Sequence, residues 1–102
     1  MAQLSILEYF LGETNHLCED YDALPVIDAS TCKQVLYGLH TVYGITPQVY
    51  FEKEVNYDSR PKGCYLYTGD GVGNRVYFNL HVEGTNSDKA RQICIRDQGI
   101  EI

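Results

Sequence analysis

Tryptophan is absent from this chain, methionine occurs once and proline three times. Basic residues are few: eight Lys and Arg against fourteen Asp and Glu, a net charge of -6. The densest positive spot is Lys89-Ala-Arg91. So thin a supply of cations excludes a phosphate-tracking surface, and with it a nucleic-acid partner or an anionic membrane surface. No Cys-x-x-Cys occurs, which argues against a zinc knuckle or a dithiol redox motif. No apolar run is long enough for a transmembrane segment. The stretch Met1 to Leu11 is apolar but lacks a basic start and carries Glu8, so it does not read as a signal peptide. A secreted or lumenal protein of this sequence is then expected as a mature form or an excised domain.

What is present is a one-domain length of 102 residues with 44% hydrophobic content, too much for a disordered chain. Nine tyrosines supply large apolar faces with polar tips. Cys18, Cys32, Cys64 and Cys94 are an even number at long spacing. In a small chain this pattern predicts two disulfides and an oxidising compartment, extracellular or an organelle lumen. Four buried, reduced thiols in a cytosolic protein are the alternative. Three pairings are open to four cysteines.

The densest structural signal lies between Pro61 and Asn79. Tyr65 and Tyr67 alternate with Leu66, and Val76 and Phe78 alternate with Tyr77, the period of two strands. Between them Thr68 to Asn74 is rich in residues that tolerate positive φ, so a hairpin is predicted. Upstream, Leu4, Ile6, Leu7, Phe10 and Leu11 fall near helical spacing, and an N-terminal strand or arm fits them equally. Leu4, Leu7, Phe10 and Leu11 are the candidate partner-docking residues. Leu24 to Ile27 predicts a brief edge strand. Asp28, Ser30 and Thr31 are helix-start residues, Thr31 with Gln34 matching a capping box. Cys32, Val35, Leu36, Leu39, Val42 and Tyr43 then form one apolar helical face, ended by Gly44. Gln48 to Val55 predicts a strand, Leu80 to Val82 an extension of the hairpin, and Gln92 to Arg96 a last short strand.

The expected fold is α+β: one main helix packed across a four- to five-stranded antiparallel sheet, stapled by two disulfides. Helix-face Cys32 and strand-head Cys64 are natural partners, which leaves Cys18 to join Cys94 and tie the two ends together. The expected organisation is a docking arm or short helix over 1–17, the stapled module over 18–97 and a tail over 98–102.

The order of a leading Cys, helix-borne Cys32, Pro61-Lys-Gly-Cys64-Tyr, Val76-Tyr-Phe-Asn79 and Ile93-Cys94-Ile resembles small four-cysteine modules of marine algal proteins, those of dinoflagellates especially. The likeness spans about residues 18 to 96. A helix pinned to a sheet by a disulfide is also distantly similar to PAN/apple domains, which have further helix-region cysteines that this chain lacks. The resemblance implies a non-catalytic binding or assembly role, with a protein partner or larger assembly.

The remaining chemistry is sparse. His16, His40 and His81 are scattered, and nothing in the sequence assembles a metal trio. Paired cysteines lack the thiolate of a nucleophile. Glu19, Asp20 and Asp22 lack the alternating oxygen donors of a calcium loop and fit a solvated surface. Asp70 and Asn74 across Gly71-Val-Gly73 fit a hairpin turn; they neither follow a buried parallel strand nor open a helix. No catalytic residue, metal site or cofactor is therefore expected. Tyr65, Tyr67 and Tyr77 are the candidate ligand-binding residues, as a face for sugar rings or a protein partner. Carbohydrate recognition is the second reading, and a small hydrolase using His81 and the Asp70 loop the third. Asn79 is expected to satisfy loop backbone groups.

Overall fold

A computed structural model describes residues 3–4, 7–35, 50–69, 75–97 and 100–101. In chain order the strands are β1 (Gln3–Leu4), β2 (Leu7–Leu11), β3 (Leu24–Pro25), β4 (Tyr50–Val55), β5 (Pro61–Tyr67), β6 (Arg75–Gly84), β7 (Ala90–Asp97) and β8 (Ile100–Glu101). A short 3₁₀ turn occupies Cys18–Tyr21, and residues 29–35 are α-helical, here α1. The main sheet runs β2-β7-β5-β6-β4, with β3 also paired to β7, while β1 and β8 form a separate two-stranded ladder.

The main sheet is mixed and has six strands, which corrects the expectation of an antiparallel sheet of four or five. β5 and β6 form the predicted antiparallel ladder, Tyr65 opposite Tyr77, and β4 lies parallel to β6 with Val55 opposite Asn79. The physical reason is the path of residues 56–60. This short loop does not turn β4 back onto a neighbour. It steps over β6, so β5 lands on the far side and β4 and β6 run the same way. A loop that crosses a strand leaves backbone groups stranded above it unless something below pairs them. Asn79, buried in β6, does so. Its Oδ1 accepts the Tyr57 amide at 2.9 Å, and its Nδ2 donates to the carbonyls of Tyr57 (2.8 Å), Pro61 (3.0 Å) and Arg60 (3.2 Å).

The N-terminal stretch is a strand where the structure describes it: Leu7–Leu11 pairs with residues 93–97 of β7. The predicted helix begins where expected, and its continuation over 36–49 lies outside the described residues, as do the turn residues 70–74. Asp28 is the cap, its Oδ2 accepting the Thr31 amide at 2.9 Å and the Thr31 hydroxyl at 2.8 Å. These bonds, the hydroxyl first and then the amide, hold the Asp28 pKa below the ordinary carboxylate value. A carboxylate with a lowered folded-state pKa stabilises above its unfolded value and stops doing so as pH falls through the folded one. The gap in thermal midpoint between wild type and Asp28→Ala is therefore expected to be widest near neutral pH and to close below about pH 4. Calorimetry across that range checks it.

Alternation sorts the sheet's two faces. Cys64, Leu66, Val76, Phe78 and Ile93 pack with Cys32 and Val35 of α1 and with Leu11 and Val26 into the main core. Tyr65, Val55 and Ala90 lie in a second cluster with Tyr67 and Tyr77. Two disulfides fasten this arrangement, Cys32–Cys64 from helix to sheet and Cys18–Cys94 from the 3₁₀ turn to β7. This is the pairing expected from the helix face. The segment 24–27 lies between Cys18 and Cys32 and is thus anchored on both flanks. Close packing reinforces it: the Val26 amide donates to Ile93 O, and the Cys64 amide donates to Val26 O. Gly63 permits the approach. Its φ is +74°, and a Cβ there would collide with the Val26 carbonyl oxygen.

Candidate functional site

The three tyrosines singled out by the strand pattern do share a face. Tyr65 and Tyr77 stack across the ladder with centroids 5.6 Å apart, and Tyr67 meets Tyr77 edge-on at 6.0 Å. They differ in access. Tyr65 is 1% exposed, and burial pushes its pKa well above the ordinary phenol value. Tyr67 and Tyr77 are half-buried. Residues outside that pattern, exposed Tyr57 and Lys53 and half-buried Arg60, line with the three tyrosines a cleft of about 230 Å³.

The N-terminal candidates sit in strands, Leu7, Phe10 and Leu11 in the main sheet and Leu4 in the separate ladder. Leu11 is buried in the main core. Phe10 is half-buried, edge-on to the Tyr21 ring at 5.6 Å and beneath the Arg96 guanidinium at 4.9 Å. Leu4 and Leu7 belong to β1 and β2, and their side chains lie outside the described residues.

Exposed apolar surface gathers elsewhere. Leu24 is 70% exposed, Ile27 64%, Leu80 52% and Val82 77%. Two devices put them there. The first is the anchored segment 24–27, whose Val26 points into the core while Leu24 and Ile27 face outward. The second is a wide bulge. Pro61 pairs with Gly84 and Gly63 with Asn79, so residues 80–83 of β6 stand opposite Lys62 alone. The His81 ring closes the bulge, its Nδ1 accepting the amides of Gly84 at 2.8 Å and Glu83 at 3.2 Å. Leu80 and Val82 are thereby lifted out of the sheet's alternation.

Lys62 lies at the centre. It lines three adjoining hollows of about 390, 350 and 230 Å³. The first is walled by Tyr9, Leu24, Val26, Ile27 and Ile95, the second by Leu24, Pro25 and Val82, the third by Ile27, Phe78, Leu80 and Val82. Shared Leu24, Ile27 and Val82 make them one groove. The Lys62 backbone is fixed from below, its carbonyl accepting Gln92 Nε2 at 2.8 Å. Buried Gln92 also accepts the Cys18 amide through Oε1 at 2.6 Å, tying β5, β7 and the 3₁₀ turn together. The Lys62 side chain is half-buried, and among the described residues no carboxylate pairs with its ammonium. Asp28, on the groove's rim, is engaged with Thr31.

The two described histidines, His16 and His81, have separate partners. His16 contacts Asp20 at 3.3 Å near the 3₁₀ turn, His81 serves the bulge, and His40 lies outside the described residues. Asp20 itself accepts the Leu17 amide at 3.0 Å. Among the described residues no group of three or more His, Cys, Asp and Glu is placed to hold a metal ion, and no helix is long and apolar enough to cross a membrane. Two disulfides are compatible with an oxidising compartment. No protein-family model, curated protein or solved structure matches this chain.

Proposed function

We propose that this chain is a non-catalytic interaction module of a protein assembly, kin to the four-cysteine algal modules and working outside the cell or in an organelle lumen. The observation that supports this reading is the groove around Lys62. Contiguous exposed apolar side chains mark surfaces that bury themselves on a partner. Leu24, Ile27, Leu80 and Val82 do so around the Lys62 ammonium, which pairs with no carboxylate among the described residues.

The chemistry selects one occupant, an extended segment of a partner protein with one carboxylate flanked by apolar side chains. Burying the Lys62 ammonium under a purely apolar segment costs several kcal/mol unless a counter-charge arrives with it. A strongly acidic segment is disfavoured in turn by Glu19 and Glu83, which stand along the same groove. Apolar contacts supply the affinity, and the lone lysine sets register and sign.

Selection of peptides from a displayed random library tests this. The wild-type protein is expected to enrich sequences with one Asp or Glu between apolar residues. Lys62→Glu is expected to shift the enriched central residue to Lys or Arg, and Leu24→Ser/Val82→Ser to lower binding of the selected peptides about tenfold or more. Equal enrichment by wild type and the double variant, or a Lys62→Glu profile unchanged from wild type, overturns the assignment.

A further inference from the structure

The second surface lies across the tyrosine ladder and is independent of the groove. We infer that the cleft bounded by Lys53, Tyr57, Arg60, Tyr67 and Tyr77 is a binding site for an anionic sugar ring, its charge a carboxylate or a sulfate ester.

Charge is the first argument. In a chain of net charge -6, two cations converge on one cleft, and among the described residues no acidic side chain lines it. Lys53 is exposed and takes part in none of the ion pairs of the described residues. The Arg60 guanidinium lies 5.0 Å from the Tyr67 ring centroid and gives one N–H to Ser59 O at 3.2 Å. Stacking fixes the plane of the guanidinium and leaves other donors for a ligand oxygen.

Shape and rigidity are the second. At about 230 Å³ the cleft is smaller than the roughly 300–1,000 Å³ of a drug-sized ligand site, a size suited to one ring. Tyr57 is 48% exposed and offers a face and a hydroxyl. The backbone that presents both ligand-facing loop residues is clasped. Asn79 holds Tyr57 N and O and Arg60 O, and the Thr85 amide also donates to Arg60 O at 2.9 Å. The buried Tyr65 supports Tyr77 from below. Aromatic faces, phenol hydroxyls and two cations on a rigid floor match a ring that has C–H faces, hydroxyls and one negative group. A bare inorganic anion leaves the aromatic faces unused, and a neutral sugar leaves the cations unused.

Calorimetric titration with three probes of equal length tests the site: trigalacturonic acid, a sulfated galactan trisaccharide and neutral galactotriose. At least one charged probe is expected to bind about tenfold or more tightly than the neutral one, with affinity falling as salt rises past about 0.15 M. The tighter of the two charged probes identifies the natural negative group. Arg60→Gln and Tyr57→Ala are each expected to weaken that binding about tenfold with far-ultraviolet dichroism and the cooperativity of thermal unfolding unchanged. Lys62→Gln, in the groove, is expected to leave it unaltered. Absence of binding by both charged probes, equal binding of the neutral one, or an undiminished Arg60→Gln affinity overturns the site and leaves the groove's assignment standing.

Discussion

Replacing Cys18 and Cys94 together by alanine is expected to lower the unfolding free energy by about 4.5 kcal/mol. The bridge spans 76 residues of chain, and the loop-entropy relation assigns most of its effect to the unfolded ensemble. The Cys32–Cys64 bridge spans 32, for which the same relation gives about 3.7 kcal/mol. Against the roughly 5–15 kcal/mol of a small domain, either loss removes about a quarter or more of the stability. Guanidinium titrations check this. Both double variants are expected to show lower midpoints, the Cys18/Cys94 variant the lower of the two. Their slopes should steepen, because an uncrosslinked unfolded chain exposes more surface. The consequence reaches the groove. Segment 24–27 is held between the two bridged cysteines, so either double variant is also expected to weaken peptide binding there at temperatures where it remains folded.

Asn79→Asp is expected to cost about 3 kcal/mol near neutral pH, although the side chains are nearly the same size. Asn79 supplies both polarities: an acceptor for the Tyr57 amide and a donor toward three carbonyls. A carboxylate keeps the first and sets negative charge against the carbonyls of Tyr57, Arg60 and Pro61. Protonation restores one donor, so the new carboxyl's folded-state pKa lies above its unfolded value. Stability of the variant relative to wild type is then greatest below about pH 4 and falls as pH rises through the raised folded value. Denaturant midpoints of both proteins at several pH values check the sign. A constant difference across pH contradicts the donor role assigned to the amide. Because Asn79 also clasps the Tyr57–Arg60 backbone, the variant is further expected to weaken sugar binding at the neighbouring cleft.

Much of this architecture is legible in the residues because it follows from short-range periodicity. Cys32 opens an apolar helical face and Cys64 heads a strand, so their bridge follows from where each side chain points. Tyr65, Tyr67 and Tyr77 share a face because strands alternate. Asp28, Ser30 and Thr31 all satisfy helix-start chemistry, and only the geometry selects Asp28. The parallel pairing of β4 and β6 is not legible, because the five residues 56–60 look like an ordinary turn between neighbours. Nothing local says that they cross a strand, although buried Asn79, expected to serve loop backbone, is the residue that the crossing requires.

The groove is hidden by the same logic that exposes the hairpin. Continued alternation through Val76, Phe78, Leu80 and Val82 predicts one buried face. The bulge opposite Lys62 breaks that register and turns the last two outward. Its only advance signals are Gly63 and Gly84, which take φ of +74° and +63°. Leu24 to Ile27 reads as an apolar strand, but Leu24 and Ile27 themselves face outward. Apolar content reports burial on average and does not say against whom.

The core and the groove depend on the way sulfur ties the 3₁₀ turn and α1 to the sheet. Peptide mapping of the native, unreduced protein at acid pH, where thiols do not exchange, tests that most directly. The account predicts two linked pairs, one joining the peptides of Cys18 and Cys94 and the other those of Cys32 and Cys64. Recovery of any crossed pair, or of four alkylatable thiols in native material, contradicts it.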